Sequence, residues 1–153
     1  MTLAELRLNS NHGRLMHAAR NLPAVLRESL VPGGGWTAHQ VLAHVLAWQE
    51  EAARRLVCGQ APELTRCQVD EWNARALASM QDLSWEEILW RLQTGHDRLK
   101  GRLREEPPSW FGDRTYRHYM EHTRELLALA ASATWPTPLV VGGRPGLLLS
   151  RGR

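Results

Sequence analysis

The sequence predicts an all-α chain: a four-helix bundle with one short inserted helix and a non-helical C-terminal tail. Three observations predict it. Before residue 134 the apolar side chains recur at intervals of three and four rather than two, so strand signals are nearly absent. Capping boxes, Thr2 to Glu5, Thr37 to Gln40 and Ser84 to Glu87, stand just ahead of such runs, where a hydroxyl and a carboxylate or amide serve the first orphan backbone groups of a helix. After Thr134 the pattern stops. Three prolines and four glycines in twenty residues cannot sustain a helix.

Each element follows from the same signals. From Thr2, the first helix offers Leu3, Leu6, Leu15, Ala19, Leu22 and Leu26 to a core, with a break expected near Gly13 or Pro23. The run Val31-Pro-Gly-Gly-Gly-Trp36 ends it. From Thr37, a second helix carries Val41, His44, Val45, Trp48, Ala52 and Leu56 on one stripe, so His44 should face inward. Gly59 to Thr65 reads as a loop and Val69 to Met80 as the short insert, with Trp72, Asn73 and Leu77. From Ser84, another helix lines up Trp85, Ile88, Leu89, Leu92, His96, Leu99 and Leu103, and Pro107 and Pro108 close it. Asp113 is placed to cap the last helix, whose buried side would be Thr115, Tyr119, His122, Leu126, Leu129 and Ala133.

The chain of 153 residues suits one domain with a core that needs no staples. Its division is into a bundle, 1–133, and a tail, 134–153. The net charge of +3 comes from Arg144, Arg151 and Arg153 in that tail. Residues 1–133 balance 16 basic against 16 acidic side chains, which is not the footprint of a nucleic-acid binder. Two cysteines, Cys58 and Cys67, are too few for a disulfide framework and favour a reducing cytoplasm. Neither has an adjacent base, so nucleophilic catalysis by a thiol is not expected. No signal peptide and no stretch of 18 uncharged apolar residues is visible, so a cytoplasmic protein without a membrane partner is expected. The apolar Leu139-Val-Val and Leu147-Leu-Leu runs of the tail would pack on the bundle or on a second subunit.

Three histidines carry the chemistry. His118 and His122 are spaced i, i+4 on the last helix, which puts both rings on one face about 5–6 Å apart at Cβ. Within a bundle, His44 could stand opposite them, and three imidazoles suit a divalent ion with an open fourth position. The plainer reading is three core histidines hydrogen-bonded across helices, or an ion that only ties helix ends together. His96 among leucines reads as a satisfied core or cleft histidine, and His39, five residues before His44, as solvent-facing. His12 and His17 have no motif around them. Trp36, Trp48, Trp72 and Trp85 are assigned to the core, with Trp90 and Trp110 partly exposed.

The run GGGWTAHQVLAHVLAWQE, then VDEWNARAL, LSWEEILWRL and TYRHYMEH, resembles the DinB-like superfamily of four-helix bundles, and within it the DfsB/ClbS-type group. The resemblance spans roughly residues 1 to 130. It implies an up-down-down-up bundle, a homodimer, and a divalent metal held by one histidine of the second helix and two of the last, here His44, His118 and His122. It also implies functions of two kinds: thiol-dependent transfer or isomerisation using mycothiol or bacillithiol, and self-protection against DNA-damaging metabolites. The tail after residue 133 departs from the pattern, which bears on the oligomer more than on the metal site.

The expected function is therefore divalent-metal-dependent hydrolysis of, or thiol transfer to, a small electrophilic or toxic molecule. Zinc is the expected ion, nickel and iron being compatible with imidazole ligands, and a low-molecular-weight thiol is a candidate cosubstrate. Asn73 and Tyr119 are the candidate catalytic residues, each able to orient a substrate. Glu121, beside the histidine pair, could position substrate or water, and Tyr116 flanks the ligands as a candidate donor. The alternative is a non-enzymatic ligand-binding or stress-response protein whose metal is structural or absent. A solvent-filled cleft reaching an open ligand position would favour the enzyme, and a closed ion or no cavity the binder.

Overall fold

A computed structural model describes residues 1–59, 64–103 and 105–134. They form helices α1 (Leu3–Asn21), α2 (Ala38–Cys58), α3 (Arg66–Met80), α4 (Trp85–Arg102), α5 (Ser109–Arg114) and α6 (Tyr116–Thr134), with a 3₁₀ turn at Ala24–Leu26. Among the described residues the only extended pairing is an isolated bridge between Leu30 and Thr37. The tail expected over 134–153 lies outside the described residues except for Thr134, the last residue of α6.

The capping signals act where the sequence places them. Thr2 Oγ1 accepts from Glu5 N, and the boxes at Thr37 with Gln40 and at Ser84 with Glu87 are closed on both sides. A further closed box joins Thr65 and Gln68, so α3 starts three residues earlier than the apolar pattern suggests. The signal was a Thr-x-x-Gln spelling inside what reads as a loop. Gly59 ends α2 in the left-handed conformation (φ 69°), which a residue without Cβ adopts at little cost.

Two expectations fail locally. Helix α1 ends at Asn21, so the expected break falls at Pro23 and not at Gly13, but Leu3 and Leu6 are more than half exposed; Ala4 and Leu8 join Leu15 and Ala19 on the inward face in their place. The inward face is set by contact with the neighbouring helices, and Leu3 and Leu6 lie off the stripe that Ala4, Leu8, Leu15 and Ala19 define. Asp113 does not cap the last helix. It sits within α5 and pairs with Arg117, while the backbone joint between α5 and α6 is Thr115, at φ −130° and ψ −99°. Thr115 Oγ1 instead donates to Phe111 O, at 2.7 Å, across that joint.

The topology is up-down-down-up, and cross-helix bonds show it. Between α2 and α4 the partners ascend together, Gln49 with the Leu92 carbonyl and Ala53 O with Arg102, so these helices are parallel. Between α1 and α4 they run oppositely, Asn9 meeting His96 and His12 meeting the Leu92 carbonyl. α6 opposes α2: His44 approaches His122, and Gln49, farther along α2, accepts from Tyr119, earlier on α6. α2 is the central helix, buried all round from Val41 to Gln49. Among the described residues no helix is long and apolar enough to cross a membrane.

Candidate metal centre

His44 projects from the middle of α2, and His118 and His122 from the first turns of α6. The helices put all three Nε2 atoms at one point. His118 Nε2 lies 2.9 Å from His44 Nε2 and 2.9 Å from His122 Nε2. This is the arrangement expected from the i, i+4 pair, with the third ring supplied from 74 residues away in sequence. His44 and His122 are buried and His118 half-buried.

Such a cluster is awkward without a cation. His118 Nε2 offers either one N–H or one in-plane lone pair, so it can pair with only one of its two neighbours, and the other 2.9 Å contact is left unbonded. Protonation does not relieve it. Burial chiefly, then the charge on His122, holds the His44 pKa near 3. His118 is held well below its ordinary value by burial first, then by His122, His44 and Arg114. The donor set fits a divalent ion, since nitrogens each about 2.0–2.1 Å from a tetrahedral zinc stand roughly 3.3 Å apart, a few tenths wider than the present spacing.

His122 is oriented from behind. Its Nδ1 meets Glu125 Oε2 at 2.5 Å, so the carboxylate fixes the proton on Nδ1 and leaves Nε2 as the ligand atom. Glu125 escaped the sequence reading, although its i+3 spacing from His122 was a legible signal. His44 Nδ1 and His118 Nδ1 are buried without a partner among the described residues, so His122 is the one ring anchored in this way.

The triad lies in the wall of a cleft of about 700 Å³, lined also by Gly33 to Trp36, Trp48, Asn73, Asp113, Arg114, Glu121 and Glu125. Asn73 belongs to this cleft: its Oδ1 accepts from Trp48 Nε1 at 2.9 Å, an assignment forced because the indole N–H only donates. Glu121 is exposed at the cleft. Trp36 packs against His44, ring centroids 4.6 Å apart.

Tyr119 does not belong here. One residue on from His118 rotates the side chain by about 100°, away from the cleft. Tyr119 is fully buried and its hydroxyl donates to Gln49 Oε1 at 2.7 Å; burial raises its pKa above the ordinary phenol value. Its expected substrate-orienting role is corrected to a structural one. Tyr116 is also buried, packed against Phe111.

The remaining histidines divide differently from expectation. His39 is half-buried rather than solvent-facing, its ring nitrogens meeting Glu28 at 2.7 Å and the Leu83 carbonyl at 2.9 Å. His96 is a core histidine, as its setting among leucines suggests, and His12 stacks on it with centroids 3.8 Å apart.

The model of one family, described as the DinB superfamily, matches residues 7–135, most of the chain. The chain belongs to the DinB superfamily. Solved structures agree on the fold. An uncharacterised protein from Escherichia coli UTI89 superposes with a TM-score of 0.73 at 13% identity, over 85% of this chain and 92% of that one. DfsB, a sibling lethal factor precursor, gives 0.68 at 13% identity, over 86% and 95%. At such identity these two speak for the fold of this DinB-superfamily chain and not for its chemistry. No curated protein matches the sequence.

Proposed function

We propose that this DinB-superfamily chain is a metal-dependent enzyme in which His44, His118 and His122 hold a divalent cation, zinc being the expected ion and nickel and iron compatible. The observation that carries the reading is the convergence of three Nε2 atoms on one point in a cleft wall, with Glu125 behind His122. Bound there, the ion would act as a Lewis acid, activating water or a low-molecular-weight thiol or polarising an electrophile.

The chain's own residues prepare the site. Burial keeps His44 and His118 neutral and available as ligands far below neutral pH. Glu125 holds the His122 tautomer. Asn73 commits its carbonyl to Trp48, and its amide nitrogen, with no partner among the described residues, is left to orient a substrate. The open cleft supports catalysis over a purely structural ion, because a small molecule has room to reach the ligand nitrogens. Hydrolysis of, or thiol transfer to, a small electrophilic or toxic molecule is the reaction class that such a site serves.

The equal numbers of basic and acidic residues in 1–133 support a small-molecule partner over nucleic acid. We place the protein in the cytoplasm, which suits two exposed unpaired cysteines. We also expect a homodimer, in which exposed Leu6, Met120 and Leu127 would find cover; sedimentation as a monomer at micromolar concentration would remove that expectation. The central test is elemental analysis of the purified protein and of its His44→Ala and His118→Ala variants. Near-stoichiometric metal in the parent, lost from both variants, is the expected result. Absence of metal after reconstitution would end the catalytic proposal.

A further inference from the structure

Arg114 closes α5, four residues before His118, and Trp48 lies one turn after His44 on α2. The two meet beside the triad: the Arg114 guanidinium carbon stands 4.0 Å from the centroid of the Trp48 ring. That platform is firm. The indole is 2% exposed, its N–H is held by Asn73, and Trp72 packs against it with centroids 4.0 Å apart. Arg114 is itself half-buried, and its charge is felt at His118 in addition to burial and the two neighbouring imidazoles.

A guanidinium stacked in this way spends its face and keeps its edge. Its N–H donors lie in the plane of the group, at the geometry that meets a carboxylate with two parallel hydrogen bonds. Among the described residues those donors have no hydrogen-bond or ion-pair partner. Several other arginines are committed, Arg54 and Arg55 to Glu51, Arg91 to Glu50 and Arg117 to Asp113, while Arg66, which also lines the cleft, is exposed and lacks the aromatic platform that fixes Arg114. Asp113 and Glu51 favour the Arg114 charge only through space, against burial and the charge of Arg55; the direct pairs are Asp113 with Arg117, Glu51 with Arg54 and Arg55, and Glu125 with His122. No nitrogen of Arg114 is among the buried atoms left without a partner, so its donors stand open to the cleft, where a ligand can replace water on them.

We propose that Arg114 is the anion-recognition residue of the cleft, binding the carboxylate of a small molecule whose reactive end lies at the histidine triad. This assignment of substrate class rests on the triad being the reactive centre. A monoanionic carboxylate suits the site better than a phosphate dianion, because Glu121 and Glu125 share the cleft and repel additional negative charge. The carboxylate can belong to the electrophile or to a thiol cosubstrate, and the two sources are separable.

The test titrates metal-reconstituted protein and its Arg114→Gln and Arg114→Lys variants with benzoate, with benzamide as the uncharged control, and with N-acetylcysteine beside its carboxamide. Metal content and thermal midpoint are measured on every sample. In Arg114→Gln, affinity for a carboxylate probe should fall about tenfold or more while its amide counterpart is unchanged, with Arg114→Lys falling in between. Loss for benzoate alone places the carboxylate on a substrate without a thiol. Loss for N-acetylcysteine alone places it on the thiol, and loss for both shows that the site reads carboxylate whichever molecule carries it.

Unchanged affinity for both carboxylates in Arg114→Gln overturns the proposal. So does equal loss for acid and amide, which would show only a collapsed cleft. The metal reading fails separately. If no metal is taken up and benzoate binding still depends on Arg114, the anion site stands without the metal centre. If metal binds normally and carboxylates depend on it alone, the metal centre stands without the anion site.

Discussion

Two groups of histidines, built from the same residue type in the same bundle, are wired in opposite senses. In the triad, Nε2 of His44, His118 and His122 converge, and the anchored ring carries its proton on Nδ1 against Glu125. In the core pair, the rings of His12 and His96 lie face to face, tilted by 5°, and their nitrogens diverge. His12 Nε2 donates to the Leu92 carbonyl at 3.2 Å and His96 Nε2 to Asn9 Oδ1 at 3.0 Å. The same atom is thus a lone pair offered to the cleft in one group and a proton spent on the scaffold in the other. Burial holds His12 near 3 and His96 near 4, so burial and depressed basicity do not distinguish a ligand from a structural histidine. What distinguishes them is the direction in which the nitrogens point.

The largest effect expected from breaking this contrast is on metal content. His118→Ala, which removes the central nitrogen of the triad, should reduce retained metal to background, whereas His12→Leu should leave it at the parent level. Equal loss in both variants, read by elemental analysis, would erase the distinction. Glu125→Gln sharpens it. Substituting the carboxylate that orients a ligand typically costs about 10–100-fold in metal affinity, so competition with a chelator should show a loss of that size while the metal-free melting temperature barely moves.

On the structural side, Gln49 holds the core pair's surroundings. Its Nε2 donates to the same Leu92 carbonyl that His12 uses, and its Oε1 accepts from Tyr119. A Cβ at Gly95 would lie 2.2 Å from Gln49 Nε2, so Gly95→Ala must displace that amide. Denaturant unfolding of the metal-free protein should show a loss of about 1–3 kcal/mol, with metal stoichiometry retained. A neutral Gly95→Ala would show that the amide has room to move.

The smallest effect is graded with pH. His12 and His96 have folded pKa values below the ordinary 6.5, so below that pH the unfolded chain binds protons that the folded one refuses. Their contribution to stability is complete above pH 6.5 and declines as the pH falls, levelling near 4 for His96 and near 3 for His12. Each proton gives a slope of about 1.4 kcal/mol per pH unit in that window. In metal-free protein the double variant His12→Leu/His96→Leu should have a shallower acid slope than the parent. An unchanged slope would assign the acid sensitivity to the triad.

Much of this was legible because it is local. The capping boxes, the i, i+4 spacing of His118 and His122, and the apolar stripes of α2, α4 and α6 depend on neighbours within one or two turns. Glu125, at i+3 from His122, was equally local and was overlooked beside the more conspicuous Glu121. Tyr119 was misplaced because an aromatic hydroxyl next to a ligand looks functional in one dimension, while helical rotation turns it into the core. His12 carried no signal at all: its partner is 84 positions away, and polar residues on an otherwise apolar face read as noise until the facing helix is known.

By itself, then, the sequence determined that the chain is helical, where its principal helices begin, and that two imidazoles on the last helix share a face. These follow from backbone hydrogen bonding and side-chain periodicity, which act over a few residues. The tertiary structure brings His44 to the pair, as the resemblance implied, and it alone decided that His12 and His96 are spent on the core and that Arg114 rests on Trp48 with its donors unpaired. Those outcomes depend on the phase at which one helix is packed against another. A rotation of 100°, one residue's worth, exchanges a ligand for a core side chain.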